Sequence, residues 1–92
     1  MLHPDKKKKI IEKFKTHATD TGSPQVQIAI LSSEIEELNG HLQGHKKDNS
    51  SRRGLIKKVS ERRRLMKYLK REDAKAYDEL TGKMEEFIKK TK

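Results

Sequence analysis

Residues 28–42 read IAILSSEIEELNGHL, and within that run Ile28, Leu31, Ile35, Leu38 and Leu42 recur at alternating spacings of three and four. At 3.6 residues per turn this spacing puts the five on one stripe, so a helix with a narrow core-facing seam is expected. Just upstream, Asp20-Thr21-Gly22-Ser23-Pro24 supplies a turn, a hydroxyl cap and a proline suited to the first helical position. Gly40 weakens the helix by about 1 kcal/mol relative to Ala, and Gly44 is placed to end it.

Towards the N-terminus, Ile10, Ile11 and Phe14 form an apolar patch after Pro4 and a lysine run, which predicts a short first helix. Towards the C-terminus, a polar loop over 45–51 precedes a third helix whose apolar side holds Leu55, Ile56, Val59, Leu65, Met66 and Leu69. Asp73 is a cap for a fourth, with the stripe Tyr77, Leu80, Met84, Phe87 and Ile88. No β-type alternation competes. The expected fold is all-α, with three antiparallel helices in a bundle and an N-terminal helix attached more loosely, in one domain spanning 1–92.

Composition narrows the function. Hydrophobic residues make up 30% of the 92 and charged residues 40%, so apolar material must be concentrated on stripes. There is no cysteine, which removes disulfides and thiolate metal sites and suits a reducing cytoplasm. The lysine-rich N-terminus has no continuous apolar region of the secretory kind, and no stretch is long and apolar enough to span a bilayer. A net charge of +9 points to a polyanion. With no Trp and no basic amphipathic segment carrying large aromatic anchors, nucleic acid is favoured over a membrane surface.

The positive charge is local. Residues 45–71 hold twelve Lys or Arg against two acids, a net of +10, whereas 16–45 contain no Lys or Arg. At about 100° per residue, Arg53, Lys57, Ser60, Arg64, Lys67 and Arg71 share one face of the third helix, with Tyr68 at its edge. A charged face is usually just solvated, but a solubilising face mixes signs and this one does not. It is a row on which a phosphate backbone can lie. Arg62 falls instead within the apolar arc.

His41, His45 and Asp48 share the end of the second helix. Two histidines one turn apart can chelate zinc, but further ligands and a supporting shell are lacking, so no metal or cofactor is expected. Loop histidines without a role are a commoner outcome than zinc. The sharper reading is that His, Asp and Ser side chains here read base edges in the shallow minor groove of RNA.

The strings DTGSPQVQIAIL (20–31), HLQGHKKDNSSRRGL (41–55) and RRRLMKYLKREDAKAY (62–77) resemble signature segments of the bacterial ribosomal protein S15 family, in order along most of the chain. The resemblance implies a structural constituent of the small ribosomal subunit that binds a three-way junction in the central domain of 16S rRNA early in assembly. It further implies neighbouring small-subunit proteins as partners, a contact with large-subunit 23S rRNA in an intersubunit bridge, and a ribosome-bound location in the cytoplasm; a monomer when free is expected because the apolar stripes are narrow enough to be used up within one bundle. By motif match, Thr21, Gly22 and Gln27 would touch the junction and His41, His45, Asp48 and Ser51 would read a neighbouring minor-groove step. Arg64, Tyr68 and Arg71 would hold backbone, alongside Arg53, Lys57 and Lys67 of the basic row.

Two positions depart from that family: Glu34 stands where a basic residue is common, and Gln43 replaces the usual lysine. The resemblance also fades from Thr81 onward. Each residue has a plainer reading as well. Thr21 and Gly22 suit a helix-entry turn, Gln27 a solvated side chain, Asp48 and Ser51 a helix cap, and Tyr68 a packing role. The competing class is a DNA-binding helical protein, which would use the same row but normally presents a recognition helix to the major groove. An enzyme is third, since no nucleophile, phosphate-cradling loop or paired carboxylates can be named.

Overall fold

The computed structural model describes residues 4–14 and 23–91, with side chains described through residue 85. Four helices follow in chain order: α1 (Pro4–Phe14), α2 (Pro24–Gly44), α3 (Asn49–Glu72) and α4 (Ala74–Thr91). No strand occurs among the described residues.

Local chemistry sets the boundaries. Pro4 opens α1, where its missing N–H costs nothing. Ser23, in extended backbone, accepts a hydrogen bond from the Val26 N–H at 3.3 Å and Pro24 follows at the first helical position. At the far end α2 stops at Gly44, as expected. Gly44 is the last helical residue and takes no left-handed conformation; His45 ends the helix by donating its N–H to the His41 carbonyl at 3.0 Å. The polar loop is also shorter than expected, because the Asp48 cap starts α3 at Asn49. Asp73 alone separates α3 from α4 and caps the latter through the Ala76 N–H at 3.1 Å.

Such short connections force antiparallel neighbours. α2 packs on α3, α3 on α4, and α4 also touches α2. One level of the bundle fixes the register: Ser32 of α2 donates to the Ile28 carbonyl at 2.8 Å, accepts from Arg62 Nη1 of α3 at 3.3 Å, and lies 3.9 Å from the Met84 sulfur of α4. Half-buried Arg62 therefore spends its place in the apolar arc on the hydroxyl of buried Ser32, and no ion pair of Arg62 occurs among the described residues.

α1 lies chiefly on α2, and through Ile10 and Phe14 it joins the core with Val26, Ile28, Ala29, Leu69 and Leu80. The first half of α2 is thus covered on more than one side. Val26 and Ile28 are fully buried although only one lies on the predicted seam, and Ala29, Ser32 and Ser33 are buried too. Small side chains at 29, 32 and 33 let neighbouring helices approach. Ile56 is the exception on α3, at 61% exposed. At about 100° per residue it sits at the margin of the apolar stripe. Phe87 and Ile88 lie outside the described side chains.

Candidate nucleic-acid interface

The connection between α2 and α3 gathers four of the expected residues into one cluster. Asp48 Oδ1 accepts the Ser51 backbone N–H at 3.0 Å, and Oδ2 accepts the Ser51 hydroxyl at 2.8 Å and His41 Nε2 at 2.9 Å. An ionised carboxylate only accepts, so the His41 nitrogen facing it carries the proton. The ring of His45 stacks on that of His41, with centroids 4.3 Å apart and planes 8° from parallel, and His45 Nδ1 donates to the His41 carbonyl at 3.1 Å. Arg52 closes the turn, donating to the Lys46 carbonyl at 2.6 Å.

This arrangement commits nitrogens. In neutral rings, Nδ1 of His41 and Nε2 of His45 remain as acceptors on an exposed surface, suited to a base donor in a shallow groove. Asp48 acts mainly as the organiser: three of its lone pairs are used within the protein. Ser51 is not the cap but the capped residue.

The backbone N–H of Ser51, then the His41 side chain, then the Ser51 hydroxyl hold the Asp48 carboxyl well below the usual carboxylate range. A carboxyl whose folded pKa is depressed contributes stability that is complete above its unfolded pKa, near 4, and is lost as pH falls below it. Denaturant melts of wild type and Asp48→Asn should therefore differ most at neutral pH and converge in acid. A gap that stays constant down to pH values well under 4 would show that the cluster does not stabilise the carboxylate.

The basic row is exposed along α3, with Arg53, Lys57, Arg64, Lys67, Tyr68 and Arg71 all outward. Its C-terminal half borders a shallow groove of about 540 Å³ lined by Arg64, Lys67, Tyr68, Lys70 and Arg71. Tyr68 is 48% exposed, and the Arg71 guanidinium carbon lies 5.8 Å from its ring centre. Tyr68 therefore faces outward rather than across the bundle. Glu72 shares the Arg71 charge at 3.2 Å, an exposed pairing of small worth. Gln27 is exposed on the first turn of α2. Because α2 and α3 are antiparallel, Gln27 belongs to the end of the hairpin that carries Tyr68 and Arg71. The histidine cluster is about 20 Å away along the axis. Thr21 and Gly22 lie outside the described residues.

Glu34 pairs with Lys58 at 3.2 Å between α2 and α3, with side chains 17% and 23% exposed. Lys58 is thereby withdrawn from the polyanion-facing set. Sequence reasoning passed over Arg63 and Lys70, which are exposed beside the row. Their helical angle, one residue before Arg64 and Arg71, was the available signal.

A family model, ribosomal protein S15, matches residues 7–86. The chain belongs to the ribosomal protein S15 family. The match runs past Thr81, so the family likeness extends further along α4 than the quoted motifs suggest. The chain is similar to the small ribosomal subunit protein uS15 of Thermoanaerobacter sp. strain X514, with 54% identity over 85 residues, covering 92% of this chain and 97% of that one. It is also similar to the uS15 of Bacillus thuringiensis strain Al Hakam, at 53% over 83 residues, covering 90% and 93%. S15 proteins are structural ribosomal components and not enzymes. Among the described residues no helix is long and apolar enough to cross a membrane.

Proposed function

We propose that this chain is a structural constituent of the small ribosomal subunit that binds a three-way junction of the 16S rRNA central domain and fixes the arms of that junction for later assembly. The observation that carries the reading is the pairing of two chemically different surfaces on one rigid α2–α3 hairpin. At one end a hydrogen-bonding cluster of His41, His45, Asp48 and Ser51 meets base edges. At the other, Gln27 together with Arg64, Tyr68 and Arg71 meets the junction and its backbone, joined by Thr21 and Gly22 from the segment before α2. Arg53, Lys57 and Lys67 extend the phosphate row between them.

A hairpin that touches RNA at two places about 20 Å apart selects the angle between RNA helices as well as sequence. The protein works as a monomer and a single RNA-binding domain, without metal or cofactor, beside neighbouring small-subunit proteins and with a contact to 23S rRNA at the subunit interface. Titrating the chain against a junction RNA and a DNA duplex of equal length tests the reading. Tighter binding to the junction at every salt concentration is expected, because phosphate contacts alone do not discriminate. Equal affinities would favour the DNA-binding class.

A further inference from the structure

The basic surface of α3 is wider than one phosphate strand. Arg63-Arg64 and Lys70-Arg71 are consecutive pairs separated by seven residues, two helical turns. Each pair places its cations about 100° apart, so the helix carries two rows side by side: Arg64, Tyr68 and Arg71 in one, Arg63, Lys67 and Lys70 in the other. A groove lies on each side of the Lys67–Lys70 ridge, one bordered by Arg64, Tyr68 and Arg71 and the other by Arg63. The second, of about 370 Å³, runs between α3 and α4, with Val59, Met66 and Tyr77 forming an apolar floor below the cations.

No Asp or Glu lines this second groove. Among the described residues no carboxylate pairs with Arg63, Lys67 or Lys70, although Lys58, Lys6 and Arg71 all have acidic partners. Lys70 is instead seated over the Tyr77 ring, 5.8 Å from its centre, which holds the ammonium at the rim without neutralising it. Lys67 and Lys70 border both grooves and form the ridge between them, whereas Arg63 lines only the second. Unneutralised cations at two-turn spacing over an apolar floor suit an extended polyanion with sugar faces, and fit a compact acidic patch less well.

We propose that the α3–α4 groove is a second RNA site, which takes a backbone segment separate from the one on the Arg64 row, with phosphates on Arg63 and Lys70 and ribose edges over Val59 and Met66. This rests on the RNA-binding reading above and adds to it a second strand and the residues that hold it.

The test compares the full chain, Arg63→Gln/Lys70→Gln and Arg64→Gln/Arg71→Gln across a salt series. The RNAs are a junction with three long arms and versions with each arm cut back in turn. The first-row variant should lose affinity on every RNA. The second-row variant should lose about 1.5 units of log-affinity against log-salt slope on the long-armed RNA, two contacts at a little under one unit each. That loss should vanish when one particular arm is removed. Wild-type slopes for the second-row variant on all RNAs would overturn the proposal, as would a loss that no arm truncation removes. Unchanged RNA binding with reduced binding to poly-glutamate would assign the groove to an acidic protein and likewise overturn it. Failure of the wild type to prefer the junction over a duplex would strike the parent reading instead. Circular dichroism checks folding, and Arg63→Gln alone, at a residue that lines only the second groove, separates that groove from the first.

Discussion

Ile28→Ala is expected to lower stability by about 2–5 kcal/mol, a large part of the roughly 5–14 kcal/mol available to a chain of this length. Ile28 is fully buried, within a cluster that joins α1 to the bundle through Ile10 and Phe14. Removing its branched side chain leaves a cavity that several helices would have to close together, and helices held by short connections cannot all shift inward. The melting temperature should fall by more than about 10 °C, since each kcal/mol is worth about 4–8 °C in a domain of this size. Leu42→Ala serves as contrast. It lies on the same seam but is only half-buried near the end of α2, so its effect should be clearly smaller. Equal losses at the two positions in thermal melts would mean that burial does not grade the seam as described.

Asp48→Ala should lower affinity for the cognate junction by roughly 5- to 150-fold, the range of one lost base-reading contact, while the salt slope stays close to wild type. Its carboxylate holds the His41 ring and the Ser51 backbone, so its loss releases the whole cluster rather than one hydrogen bond. Arg64→Ala should do the opposite. It should weaken binding to cognate and non-cognate RNA alike and reduce the slope by a little under one unit. Asp48→Asn separates capping from recognition, because an amide oxygen can still accept the Ser51 N–H while the amide nitrogen cannot accept from His41. If folded Asp48→Ala and Arg64→Ala proteins lose affinity equally on both RNAs with the same slope change, the division between reading and holding is wrong.

The helices and their order were legible because spacing, caps and connections all pointed one way. Ser23 and Asp73 announced α2 and α4, and the seam from Ile28 to Leu42 fixed α2 itself. Less was legible where burial depends on what arrives from elsewhere. Val26 and Ala29 are off the seam, and they are buried in a cluster to which α1, α3 and α4 all contribute, an arrangement that the α2 sequence by itself does not contain. In the loop, the residue types could be named but not their mutual bonds. The stacking of His45 on His41 arises from where α2 ends, at a residue without the left-handed turn that Gly44 suggested. Asp48 was named as a base-reading candidate, and its hydrogen bonds to Ser51 and His41 give it an organising role within the protein that the residue type alone did not indicate. Thr21 and Gly22 remain proposals from motif likeness, in a segment outside the described residues.

The unmixed charge of α3 has an energetic side. Arg53 and Lys57, Arg63 and Lys67, and Lys67 and Arg71 are like charges one turn apart, each opposing the helix by about 0.2–0.5 kcal/mol. Glu72 offsets part of this at Arg71, and the rest stays in the folded protein until a polyanion arrives. Dissolved salt then acts on the two states in opposite senses, easing the repulsion within the free chain while competing with its attraction for RNA. The free protein is a loaded electrostatic spring, and on the proposed function the RNA that it binds is also the counter-charge that completes its own stability.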